Sequence, residues 1–164
     1  MVLSGPTLMQ NKTPLEAILN WKEERDRIFM TRPLRVYMAG RYRDLDKLAG
    51  EREKFRSAGI EVTSTWLDNA EEGMTFQDVA VIDLEDVDRA DVLVLYTEPY
   101  GTPVPGGGRH VEFGYALGRG KECVLVGPLE NIFHWHPTVK SFPVTEYAIR
   151  YLERYKEERN NVAA

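Results

Sequence analysis

Glu112 stands in GGGRHVEFGYALGRGK, residues 106–121, where a run of three glycines opens into a helical pattern. Its neighbours are Val111, Phe113 and Tyr115, with Ala116 and Leu117 just beyond, so a carboxylate is set among apolar side chains. Burying an uncompensated charge is costly, and an acid in such company has either a partner or a task. One task fits the residue type. An ionised carboxylate can attack the anomeric carbon of a sugar, hold it as a covalent glycosyl-enzyme, and release it to a second acceptor with net retention. That chemistry calls for another acid to hand a proton to the departing group. The glycines have a plainer reading as a turn before a helix. Gly107 and Gly108 also admit a ligand close to the uncapped N–H groups of a helix start, which suits an anion.

The candidate second acid is Asp83, in VIDLEDVDRAD. Most acids of that segment are expected to be solvated. Asp83 differs because Asp86 follows it at i+3 and Ala90 lies two turns along the same face. Tyr37 lies in the first strand pattern, close to its end, where the plain reading is a core aromatic. Arg41, Arg43 and Arg109 fall at loop positions where a phosphate would be welcome, although surface arginines are common. His134 and His136 in FHWHP suggest a metal at first sight. The chain has 3 histidines, no cysteine or acid cluster completes a ligand set, and the segment is expected to be a structural loop without metal.

These residues must be carried by a framework that the hydrophobic patterning outlines. Residues 13–30, TPLEAILNWKEERDRIFM, offer an N-cap Thr, Pro at the first helical position, Glu three residues past the cap, and apolar residues at helical spacing. LRVYMAG, IEVTSTWL, DVLVLY and ECVLVG read as strands, with a short extended piece over 140–144. Helical patterns end at Gly59 and Ala90, begin near 108, and close the chain from 145 to 159. Strand and helix alternate, which predicts an α/β fold: an open parallel sheet of about five strands, doubly wound in the flavodoxin-like or Rossmann-like manner, with an additional N-terminal helix. Ligands of such sheets bind beyond the carboxyl ends of the strands. The candidate segments there are 37–43, 66–68, 97–109 and 127–131.

The chain has 164 residues and a formal charge of −5, which suits a single domain and gives no basic footprint for a nucleic acid polymer. Residues 1–12 read as a loose arm, 13–30 as the extra helix, 31–159 as one α/β domain and 160–164 as a tail. The single Cys123 cannot form an internal disulfide and reads as a small buried hydrophobe. MVLSGPTLMQNK lacks the features of a signal peptide and no apolar run is long enough to cross a bilayer, so the cytoplasm is the expected location.

With these residues assembled, the chain resembles the nucleoside 2-deoxyribosyltransferase family and its relatives, the deoxynucleoside 5′-monophosphate N-glycosidases. The resemblance covers residues 34–148 and rests on VYMAGRYR, EVTSTWL, IDLEDVDRADVLVLY, GGRHVEFGYALGRGK and VGPLENIF in that order. It implies that Glu112 is the nucleophile, that Tyr37 orients it, and that Asp83 assists departure of the base. It implies that Gly40 and Arg41 border the sugar or phosphate, that Trp66 lines the base pocket, and that Asn131 reaches the sugar's 5′ end in a neighbouring subunit. A homo-oligomer with shared sites, a small deoxynucleoside or deoxynucleotide with a free nucleobase as partners, and no metal or redox cofactor are implied as well. The sequence departs from the family six residues before the nucleophile, where transferases carry Asp and monophosphate hydrolases Ser; here Gly106 stands. PGGGRHVE is also similar to the PGGxGTxxE of phosphoribohydrolases, but lacks the Thr and is one residue shorter. A catalytically silent nucleotide-binding module is the alternative from another class.

Overall fold

The computed structural model describes residues 13–69, 72–99, 102 and 107–161. Two compact units divide the chain: Pro33–Glu157, and a smaller one of Met1–Arg32 with Glu158–Ala164. In the smaller unit, helix α1 runs Pro14–Thr31 and begins as the sequence predicts: Thr13 and Glu16 form a reciprocal capping box, with Pro at the first position. Leu15, Ile18, Leu19, Trp21 and Ile28 of α1 are all more than half exposed.

The larger unit is built on five parallel strands, β1 (Arg35–Ala39), β2 (Glu61–Val62), β3 (Val92–Tyr96), β4 (Glu122–Val126) and β5 (Lys140–Phe142), in the order β2-β1-β3-β4-β5. This is the flavodoxin-like order. The helices are α2 (Leu45–Ser57), α3 (Phe76–Arg89), α4 (Gly108–Gly118) and α5 (Thr145–Asn161). The chain leaves β1 for β2 on one side and crosses back to β3 on the other, so right-handed crossovers put α2 and α3 on opposite faces. Helices α3 and α4 pack together on β1 and β3. On the other face Lys54 of α2 reaches Glu146 of α5 at 2.8 Å.

The core follows from the apolar runs. Val36, Tyr37, Met38 and Ala39 of β1, Val92, Leu93, Val94 and Leu95 of β3, and Val124 and Leu125 of β4 are all 0% exposed. Burial on both sides of the sheet explains why these strands read as continuous hydrophobic stretches without alternation. Each large aliphatic side chain so buried contributes roughly 1.5–3 kcal/mol. Cys123 belongs to this core, 1% exposed, and burial pushes its thiol up to about 12. No helix among the described residues is long and apolar enough to cross a membrane.

One strand is much shorter than the sequence predicts. IEVTSTWL reads as a strand throughout, but β2 stops at Val62. Thr63 N–H still reaches Val36 O at 2.9 Å. Beyond it, side chains replace the ladder. The Ser64 hydroxyl accepts the Met38 N–H at 2.6 Å and donates to its carbonyl at 3.2 Å. The Thr65 N–H goes to Asp86 at 2.7 Å, which turns the chain into a 3-10 turn at Thr65–Asp68.

Candidate active site

The site grows from the carboxyl end of β1. Tyr37 is central in the sheet, paired with Leu93 of β3, and wholly buried. Asp83 comes from α3 and Glu112 from the second turn of α4, the two helices that pack together on this face. Burial first, then the charges of Glu112, Asp83 and Asp86, and last a hydrogen bond to Glu112, push the Tyr37 phenol far above its ordinary range. No partner among the described residues meets its hydroxyl with full hydrogen-bond geometry. Tyr37 is therefore a buried, neutral phenol under the influence of carboxylates from two helices. At the start of α4, a Cβ on Gly108 would stand 4.0 Å from Glu112 Oε1, so backbone and carboxylate lie close together. Gly107 occupies the N-cap without a side-chain cap, and its carbonyl accepts the His110 N–H at 2.9 Å and the Val111 N–H at 3.2 Å.

Glu85 and Asp88 are exposed, as expected of the acids around Asp83, and Asp86 is the exception. It is 0% exposed. Its Oδ2 accepts both the N–H and the hydroxyl of Thr65, each at 2.7 Å, and Arg89 pairs with its other oxygen. Asp86 thus pins the end of β2 to α3, one turn beyond Asp83.

The three arginines separate. Arg41 is mostly buried, its side chain 12% exposed, with Nε on Asp44 at 2.7 Å and Nη2 on Glu98 at 2.6 Å. Its Nη1 is buried and has no hydrogen-bond partner. Arg43 is exposed. Arg109 does not stand on an open loop as the sequence suggested: it lies in the first turn of α4, 4% exposed, with Nη2 between both oxygens of Glu130 at 3.1 and 3.2 Å. A guanidinium placed in the interior needs such a partner.

Glu130 is the residue that the sequence reading missed. Its Oε1 also accepts the Glu98 N–H at 2.5 Å, and its Oε2 lies 3.4 Å from His110 Nε2. Its own N–H donates to Nδ1 of the buried His134 at 3.1 Å. His134 Nε2 meets Asn131 Nδ2 at 3.1 Å, and Asn131 Oδ1 caps the following 3-10 turn by accepting the Phe133 N–H at 2.9 Å. Burial lowers the pKa of His134 and of His110, with neighbouring positive groups adding to the effect. His136, by contrast, is exposed and bonded to Thr138.

His110, Glu130 and His134 bring two imidazoles and a carboxylate together, with their ligand atoms all within 4.8 Å of one another. The two histidines come from different elements, so this group is not visible in the FHWHP spacing. Part of this set is already engaged, however: Arg109 and the Glu98 N–H hold the carboxylate, and His134 Nδ1 accepts the Glu130 N–H, which leaves the proton of the neutral ring on Nε2. A cation here would have to displace Arg109 from Glu130.

Gly127 ends β4 with φ +120°, and a Cβ there would fall 2.5 Å from Thr97 Oγ1 and 2.9 Å from Thr97 O. Only glycine lets the ends of β3 and β4 approach so closely. Beside them a cleft of about 270 Å³ is lined by Arg41, Lys47, Glu51, Glu98, Gly127 and Thr145, among others. None of Tyr37, Asp83 and Glu112 lines it. A second hollow, of about 610 Å³, lies among Tyr42, Asn69, Glu72, Met74, Phe76 and Val79. Trp66, expected to line a base pocket, is instead 5% exposed in the core, its indole N–H on the Met38 carbonyl at 2.9 Å. A Cβ on Gly40 would meet the Leu48 side chain and come within 3.7 Å of the Trp66 ring, so the β1 loop lies directly over both. Gly106 lies outside the described residues.

No family model and no curated protein matches this sequence. Solved structures do match in shape. A CMP N-glycosidase from Clostridium botulinum superposes with a TM-score of 0.50 at 20% identity, over 74% of this chain and 99% of its own. A 2-deoxyribosyltransferase from Leishmania mexicana gives a TM-score of 0.59 at 14% identity, over 75% of this chain and 99% of its own. At these identities the likeness is one of fold.

Proposed function

We propose that this chain is an enzyme that cleaves the N-glycosidic bond of a 2′-deoxynucleoside or its 5′-monophosphate and passes the sugar to another nucleobase or to water. The observation that carries this reading is the meeting of Tyr37 with Glu112 and Asp83, a buried neutral phenol among carboxylates from two helices. The sequence motifs and the fold shared with an N-glycosidase and a deoxyribosyltransferase support it.

In the first step the Glu112 carboxylate attacks the anomeric carbon, the C–N bond breaks, and a proton from Asp83 reaches the departing base. The sugar is then an ester of Glu112. In the second step a nitrogen of another base, or water, attacks the same carbon, gives its proton to Asp83, and frees Glu112. Tyr37 stays protonated throughout and donates to Glu112, which fixes the attacking oxygen without removing its charge. Arg41, Arg43, Gly40, Gly107 and Gly108 border the sugar and any phosphate in this reading. Asn131 would serve a neighbouring copy, and the exposed Ile132, Phe133 and Trp135 beside it supply apolar surface for such an assembly.

The test is chromatography of deoxynucleosides and their monophosphates incubated with a second base, with wild-type protein and with Glu112→Gln. A new deoxynucleoside means transfer and free base alone means hydrolysis. Turnover of ribonucleoside monophosphates alone would favour a phosphoribohydrolase. No change across the whole set, or full activity in Glu112→Gln, sinks the reading.

A further inference from the structure

We infer that Glu130 is the positioning residue of this site: one carboxylate that fixes the distance between α4, which carries Glu112, and the segment after β4, which carries Asn131. The inference rests on the glycosyl-transfer reading above. It starts from the number of separate elements that converge on this one side chain. Arg109 and His110 reach it from α4, the Glu98 N–H from the end of β3, and through Glu98 the chain of charges continues to Arg41 after β1. On its own segment its N–H holds His134, whose far nitrogen meets Asn131.

Two features separate this from ordinary surface pairing. Arg109 is 4% exposed and the Glu130 side chain 11%, so the contact is shielded from solvent screening. Arg109 also precedes Glu112 by three residues on α4, so a shift of its guanidinium moves the turn that carries the nucleophile. Phe113, the residue after Glu112, packs edge-on against His134 with ring centroids 5.2 Å apart, a second tie between the same two segments. Displacement of a reacting group by about 1 Å can cost about 10²-fold in rate. Glu130 needs no contact with substrate to matter on that scale.

The experiment compares wild type, Glu130→Gln and Glu130→Asp by thermal melting and by steady-state kinetics on the best deoxynucleoside substrate, well below each variant's Tm. Gln keeps the shape and the acceptor for Glu98 N–H but removes the charge from Arg109, and kcat is expected to fall about tenfold or more, with KM raised. Asp keeps the charge and therefore the fold, but draws the carboxylate back by one methylene; its kcat is expected to fall about fivefold with little change in Tm. A residue that serves stability alone would lower Tm and leave both constants untouched in the folded protein. Should the Gln variant fail to fold, the Asp variant decides. Wild-type kcat and KM in a folded variant overturn the role of Glu130 alone. Absence of turnover in the wild type removes the reading of the whole site, and this inference with it.

Discussion

Around Tyr37 the chain gathers carboxylates, whereas around Glu130 it alternates them with cations. Helix α4 belongs to both places. On the Tyr37 side, Glu112, Asp83 and Asp86 all act on one phenol, and Arg89 pairs with Asp86. On the other side, Asp44, Arg41, Glu98, Glu130 and Arg109 form a sequence in which each charge has an opposite neighbour or an N–H donor. Crowded like charges cost stability and are kept where chemistry needs them, while alternating charges fix geometry. One helix thus carries the proposed nucleophile, Glu112, on one turn and the buried Arg109–Glu130 pair on the turn before.

That contrast can be broken at several points. The largest effect is expected from Glu112→Gln, which should lower kcat by on the order of 10⁴-fold or more while the melting curve stays close to wild type, since a neutral amide replaces one of several crowded charges. Asp83→Asn should cost roughly 10²-fold in kcat, and less on substrates whose leaving base needs no proton; a flat response across leaving groups would remove Asp83 as the acid. On the alternating side, Gly127→Ala forces a Cβ into Thr97 at positive φ and should destabilise the fold by about 1–3 kcal/mol, read from denaturant midpoints.

The smallest effect is a pH dependence. The Tyr37 pKa is raised in the folded protein, so the folded state holds that proton more tightly than the unfolded chain does. The resulting stability is fully present below the unfolded pKa of about 10 and is lost as pH rises through the folded value. Midpoints measured from pH 9 upward should fall for wild type and fall less steeply for Tyr37→Phe. Tyr96, also raised by burial, contributes the same sign in both proteins and cancels from the difference.

Much of this architecture is legible in the sequence because its strongest signals are local. β1, β3 and β4 are apolar runs, Thr13 and Thr75 cap helices with their own side chains, and Gly59 takes φ +71° at the end of α2. Glu112 stands out for a local reason too, being an acid among apolar neighbours. What resists reading is decided at a distance. Nothing near IEVTSTWL announces that Asp86, 21 residues beyond Thr65, will take the Thr65 N–H and end β2. Glu98 and Glu130 look like solvated loop acids until the fold brings Arg41 and Arg109 to them. Trp66 stands in a segment that reads as a strand end, and its burial with the indole N–H on the distant Met38 carbonyl shows that its ring turns inward.

The abrupt end of β2 bears on more than the site. Parallel sheets tend to be left with free edges, and an edge strand with open N–H and C=O groups invites a neighbouring chain to add to it. Here one edge is two residues long and begins at Glu61, and the other is three residues long and begins at Lys140. A stray strand meeting either edge would find a few rungs and a charged side chain. The hydrogen bonds that Asp86 and Ser64 divert from the sheet therefore also shorten the edge that a second chain could extend.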